Sequence, residues 1–207
     1  MSANDAPPVD RAQDSDLTAG VAAFAAAVAS RQPTPGGGSV AGVVAALAAA
    51  LGSMVCRFTP ALADVSDSSA QERMLAELDR MRTAMLGLAE ADAVAYAAYR
   101  AATALPKATD HERGRRREAM RAAMIEATEV PLAIARGCAR LRLLLAKVAM
   151  EGNPHLRSDA EIGLLLAEAA SRGSLLNVRG NLTLLRDAPA AERYRAEADE
   201  LERGLAG

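Results

Sequence analysis

The segment Pro33-Thr34-Pro35-Gly36-Gly37-Gly38-Ser39-Val40 constrains this chain more than any other stretch. The prolines fix φ near the ring value and bar the residues before them from helix. Three glycines follow, open to backbone angles and to a close approach that no other residue permits. Ser39 is a good N-cap, so the apolar run Val40 to Val55 is expected to begin as a helix there. A glycine loop feeding a helix N-terminus offers free N–H groups to an anion or a carbonyl. Such a segment is either a tight turn between two helices or a binding loop, and its residues alone do not choose. Neither common nucleotide loop is present, because no GxGxxG follows a strand and no lysine stands near the helix start.

The composition points to helices packed through small side chains. Alanine, leucine, arginine and glutamate dominate the 207 residues, tryptophan is absent and aromatics make up 2%. That length suffices for one sizeable core. A formal charge of −2 disfavours bulk nucleic-acid binding. Cys56 and Cys138 form no CxxC and suggest reduced thiols in a cytoplasmic protein. His111 and His155 have no ligand-like spacing, so no metal site is expected. Residues 1–16 are rich in Pro, Asp, Ser and Ala and suggest a disordered tail, not a signal peptide. The run Val40–Cys56 only just reaches a membrane-spanning length and is interrupted by Gly42, Gly52 and Ser53. It suits a central helix wedged against others, within one chain or across a dimer.

No alternating β-branched run occurs, and the periodicities predict an all-α bundle of about six to eight helices over residues 17–207. A first helix is expected over Leu17–Ser30, with Val21, Phe24, Ala25 and Val28 on one face. The second spans Ser39–Phe58, after which Pro60 marks a break and Asp64 to Ser68 a polar connection. Ser69 with Glu72 forms a capping box that opens a long helix ending at Leu105-Pro106, with Met74, Leu78, Met81, Met85 and Leu88 facing the core. Thr109 with Glu112 forms another, opening a helix to about Met150 that Pro131 kinks or splits. Gly152-Asn153-Pro154 is a turn. Ser158 with Glu161 starts a helix expected to stop near Arg172-Gly173. Two more are expected, over Ser174–Leu185 and Pro189–Leu205.

Several side chains could carry chemistry on these helices. Asp92, Tyr96 and Tyr99 share one face at i, i+4, i+7. Asp92 lies among alanines and Val94, so it is either a solvated carboxylate or a buried one with perturbed proton affinity. Lys107 follows the helix stop, either as a surface lysine or folded back toward a site. Asn177 and Asn181, one turn apart in an apolar helix, either cross-link helices or bind a heteroaromatic ligand. Asn153 and Asp159 sit where local capping is the default role. Arg113, Arg115, Arg116, Arg117 and Arg121 form a basic patch, either a solvated helix face or a seat for a polyanionic tail.

Taken in order, PTPGGGSVAG, ADAVAYAAYRAATALPK, EATEVPL, GNPHLRSD and LLNVRGNL resemble the cyclodeaminase/cyclohydrolase family of folate enzymes, over roughly Val21 to Leu182. That family includes the C-terminal half of formiminotransferase-cyclodeaminase and stand-alone methenyltetrahydrofolate cyclohydrolases. The arginine-rich stretch at 113–117 is a departure from its pattern. The resemblance implies a helical homodimer with no metal or cofactor beyond its tetrahydrofolate substrate, polyglutamylated or not, and no nucleic-acid or membrane partner. It implies either hydrolysis of 5,10-methenyltetrahydrofolate to 10-formyltetrahydrofolate or closure of 5-formiminotetrahydrofolate with loss of ammonia. A non-catalytic folate-binding scaffold is the remaining alternative.

In that light Asp92 would be the catalytic carboxylate, and Lys107 would move a proton or hold a tail carboxylate. Pro35, Gly36, Gly37, Gly38, Ser39 and Tyr96 would contact the substrate. Asn153, Asp159, Asn177 and Asn181 would join them, with Asp159 and the last two reading the pterin edge.

Overall fold

The computed structural model describes residues 17–59 and 65–205. Expectations for the 1–16 tail, Pro60 and Asp64 lie outside these residues. Among the described residues the chain forms α1 (Leu17–Ala29), α2 (Gly37–Arg57), α3 (Val65–Thr103), α4 (Asp110–Glu151), α5 (Arg157–Leu182) and α6 (Ala188–Arg203). A 3-10 turn at Pro154–Leu156 precedes α5.

Helices α2 to α5 form an antiparallel four-helix bundle in which α2 packs on α3 and α5, and α4 packs on both of these. Its core has alternating direction: Gly42 meets Met85 and Ala89, while Gly52 meets Leu78 on α3 and Leu145 on α4. Small residues set these spacings. A Cβ on Gly42 would lie 2.8 Å from the Ala89 Cβ and 2.9 Å from the Met85 carbonyl oxygen, so no larger residue fits without moving α3. Ala45, Ala48 and Ala49 are fully buried on the same helix. Helix α2 is long and apolar enough to cross a membrane, yet most of it is enclosed by its three neighbours.

One apolar cluster joins α2, α3, α4 and α5 around Leu78, Ile134, Leu141 and Leu145. The other gathers Leu132, Leu175, Val178 and Tyr194, where α6 closes over α4 and α5. Ion pairs Arg136–Glu197 and Arg179–Asp199 fasten α6 at the rim.

Several sequence expectations need correction. Helix α3 starts at Val65, ahead of the Ser69/Glu72 box, so most of the expected polar connection is helical. The Ser158/Glu161 box does not form, because the 3-10 turn runs directly into α5 and Glu161 pairs with Arg157 instead. Nor does α5 stop at Arg172-Gly173. It continues to Leu182, its buried face carried on by Ser174, Leu175 and Val178. The Thr109/Glu112 box forms as expected, with Glu112 N–H donating to Thr109 Oγ1 at 3.2 Å and Thr109 N–H to Glu112 Oε2 at 2.8 Å.

Pro131 does not split α4, which remains one helix to Glu151. Proline has no N–H to give the carbonyl four residues back, which is that of Ala127. The Asn181 amide donates to that oxygen instead, at 2.6 Å.

Helix α1 differs from expectation in its packing. Its apolar face is not covered: Val21 is 68% exposed, and α1 makes at most marginal contact with the other helices.

Candidate functional site

The N-terminus of α2 is built without a local cap. Gly36 is extended (φ −117°, ψ −161°) and provides no side chain, so the first-turn N–H groups must find partners elsewhere. Ser39 is not the N-cap, since the helix begins two residues earlier and Ser39 is buried inside its first turn. Its hydroxyl donates to Asp92 Oδ2 at 3.2 Å, and its backbone N–H also donates to the Asp92 carboxylate. Asp92, reaching across from α3, therefore does the capping. The anion at this helix end is one of the protein's own side chains, favoured there by the helix dipole.

The glycine triplet serves approach, not backbone angle. No described glycine has a positive φ. A Cβ on Gly38 would lie 2.0 Å from Asp92 Oδ1 and 2.4 Å from its Cγ, so the carboxylate rests directly on the glycine backbone. A Cβ on Gly37 would meet the Asn177 amide at an ordinary 3.7 Å. Gly37, Gly38 and Ser39 from α2, Asp92 from α3 and Asn177 from α5 thus converge at one end of the bundle. The Thr34–Pro35 peptide that leads in is cis.

Burial holds the Asp92 carboxyl above its ordinary proton affinity, while the two bonds from Ser39 pull it back down. Asp92 has no cation among its described partners to neutralise it. A half-buried carboxylate of raised basicity, fixed by two donors, can take a proton or stabilise an adjacent cation. Cys138 offers no nucleophile in its place, for burial pushes its thiol up to about 12, and burial raises Cys56 as well. Among the described residues no three His, Cys, Asp or Glu side chains gather as metal ligands.

The remaining predicted residues are distributed unevenly. Tyr96 is partly exposed one turn along α3 from Asp92, and Tyr99 follows on the same face. Asn181 stands one turn from Asn177, with its amide nitrogen engaged on Ala127. Lys107 is exposed in the α3–α4 connection, beyond the end of α3 and about three helical turns past Asp92. The two are not brought together within this chain. Asn153 and Asp159 stand at the other end of the bundle, across the length of the 21-residue α2, about 30 Å. Asn153 there donates to the Phe58 carbonyl at 2.8 Å and caps the 3-10 turn through His155 N–H. Asp159 is in the first turn of α5.

Sequence reasoning missed the Asp92–Ser39 bond, which spans 53 residues. The signal available was a serine after three glycines and a lone aspartate in an alanine stripe. Nothing in the spacing tied one to the other.

The fold and site define an all-α bundle with a carboxylate seated on a glycine-rich helix start. Residues 20–200 match the family described as formiminotransferase-cyclodeaminase, and the chain belongs to that family. It is 36% identical to a methenyltetrahydrofolate cyclohydrolase of Methylorubrum extorquens, covering 86% of each chain. It is 33% identical to a formimidoyltransferase-cyclodeaminase of Gallus gallus over 89% of this chain but only 34% of that one. The crystal structure of a formiminotetrahydrofolate cyclodeaminase from Thermotoga maritima superposes with a TM-score of 0.78 at 31% identity, covering 89% of this chain and 88% of the other.

Proposed function

We propose that this chain hydrolyses 5,10-methenyltetrahydrofolate to 10-formyltetrahydrofolate. The observation that carries the proposal is the Asp92 carboxylate, held on Gly38 by two Ser39 donors and raised in basicity by burial. The substrate's bridging carbon lies in a cationic N5–C–N10 unit, which a carboxylate attracts. Asp92 takes a proton from water as its oxygen bonds to that carbon, giving a tetrahedral adduct. Protonated Asp92 then returns the proton to N5 as the C–N5 bond breaks. The adduct's hydroxyl proton leaves to solvent, and the formyl group stays on N10. Asn177, facing Gly37, supplies a donor and an acceptor for the pterin edge. The similarity to a cyclohydrolase over 86% of each chain favours this reaction.

A second reading is closure of 5-formiminotetrahydrofolate with loss of ammonia, favoured by the fold match to a cyclodeaminase. It passes through a tetrahedral carbon at the same place and would use the same carboxylate. Purified protein incubated separately with each folate separates the two. Loss of methenyl absorbance indicates the hydrolase, whereas its gain with ammonia release indicates the cyclodeaminase. Turnover of neither defeats both and leaves a folate-binding scaffold.

We propose further that the enzyme works as a cytoplasmic homodimer on its folate substrate, polyglutamylated or not, with no metal and no nucleic-acid or membrane partner. The uncovered apolar surface supports the dimer. Val21 on α1, Leu47 on α2 and Leu165 and Leu176 on α5 are all more than half exposed. Light scattering on the purified chain should give twice the chain mass, and Leu165→Asp should shift it toward one chain. A monodisperse single chain in both would remove the dimer.

A further inference from the structure

Helix α2 presents a buried serine to an α3 carboxylate twice. Ser39 Oγ donates to Asp92 Oδ2 at 3.2 Å, and Ser53 Oγ donates to Asp79 Oδ1 at 3.0 Å. The serines stand two heptads apart, so they lie on nearly one face of α2, close to its two ends.

The two carboxylates differ in what neutralises them. Arg57 Nη2 donates to Asp79 Oδ2 at 2.6 Å, and Arg82 Nε stands 3.8 Å from Oδ1. Arg57 comes four residues after Ser53, one helical turn along the same strip of α2. The residue four after Ser39 is Val43, which is only partly buried. Asp92 takes two donors from Ser39 and has no cation among its described partners. Where α2 seats a guanidinium beside Asp79, it offers an aliphatic side chain beside Asp92. A half-buried carboxylate attracts a cation, and a flat, weakly hydrated one leaves water most readily to lie against Val43.

We infer that the Asp92 seat binds free planar N–C–N cations, and that Val43 is the residue that keeps the seat open for them. Its link to the substrate rests on the folate reading, whose reacting N5–C–N10 unit is such a cation. Arg57 is the protein's own example of the ligand, a guanidinium on a serine-held carboxylate. Position 43 decides whether that charge comes from the chain or from outside.

Guanidinium, the head group of Arg57, is the probe, kept below about 100 mM so that it hardly weakens folding. The chain is labelled with 13C at its aspartate carboxyls and followed by NMR. The Asp92 resonance should move and saturate with a Kd of about 10 mM, as suits a single partly exposed charge pair. Sodium chloride at equal ionic strength should give no saturating shift. Asp79 should stay silent in the natural chain and respond in the double variant Arg57→Ala, Arg82→Ala.

Val43→Arg should supply the guanidinium internally, so that Asp92 no longer titrates with the probe. Val43→Met, of similar reach but uncharged, should leave Asp92 titrating with a Kd within about threefold. An Asp92 that answers guanidinium and sodium alike overturns the seat. So does a Val43→Arg chain that still titrates, or a Val43→Met chain that does not. Should Val43→Arg fail to fold, the opened Asp79 decides, and silence there overturns the inference.

Turnover keeps this apart from the folate reading. If the chain hydrolyses the methenyl folate, guanidinium at its Kd should double KM and leave kcat in place, and an unmoved KM overturns the link to the substrate. If the chain turns over neither folate, the catalytic reading fails alone, and the carboxyl titration still judges the seat.

Discussion

The Asp92 carboxylate occupies the space that a side chain on Gly38 would fill: a Cβ built there would lie 2.0 Å from Oδ1. The contact joins α2 to α3 at the point where both Ser39 donors reach the same carboxylate. Position 38 is thereby tied to the placement of one functional group, while position 37 is not.

Gly38→Ala should therefore lower kcat/KM by about a hundredfold, the cost of moving a reacting group by about 1 Å. Helicity and melting temperature should change little, because the carboxylate can swing aside and alanine favours the helix by up to about 1 kcal/mol over glycine. Gly37→Ala, whose Cβ meets Asn177 at 3.7 Å, should retain activity within a fewfold. Equal losses at the two positions would mean that the loop acts through the substrate, not through Asp92.

The pH dependence of Asp92 has a definite sign. Its proton is held more tightly in the folded chain than in the unfolded one, where the ordinary value is 3.8. Stability should then be greatest below that value and fall as pH rises through the raised folded value, because the folded state must carry a partly desolvated charge. Asp92→Asn keeps an acceptor for Ser39 and drops the charge. At pH 7 it should melt no lower than the natural chain while losing turnover. Ser39→Ala removes a bond that lowers the proton affinity, so the acid limb of kcat/KM should move to higher pH. A limb that stays in place or moves down would remove Asp92 as the titrating base.

Much of this was legible in the sequence, and what was not shares a physical cause. The all-α class, the Thr109/Glu112 box and the close-packed alanine helix α2 all follow from local spacing. The continuity of α5 through Arg172-Gly173 was hidden, because glycine marks a helix end only when the chain has no packing reason to go on. Ser174 and Leu175 supply that reason by lying buried in the bundle. Asp92 was picked out by its apolar neighbours, but its partner Ser39 lies 53 residues away, and only tertiary packing selects such a pair. Asn153 and Asp159 entered through family motifs, which carry order along the chain but not the 30 Å or so that α2 puts between them and Asp92.

Asn153 tests that separation. Its amide ties the Phe58 carbonyl and the His155 N–H at the far end of α2. Asn153→Ala should cost about 1–2 kcal/mol of stability, the price of two lost side-chain bonds, and leave KM unchanged. A KM raised tenfold at an unaltered melting temperature would instead place this residue in a partner's site.

Asn181 has two conceivable duties, and Pro131 provides the means to separate them. The Ala127 carbonyl lacks its helical donor because residue 131 is proline, and the Asn181 amide fills the place at 2.6 Å. Asn181→Ala should cost about 1–2 kcal/mol by leaving a carbonyl without a partner. In a Pro131→Ala background the restored N–H donates to Ala127, so the same change should cost clearly less, with a coupling of about 1 kcal/mol between the two positions. Denaturant unfolding of the four proteins measures that coupling, and KM measured alongside reports on the substrate. Additive stability effects together with a raised KM in both backgrounds would show Asn181 reading the pterin. Coupled stability effects with KM unmoved would assign it to the proline-interrupted turn of α4.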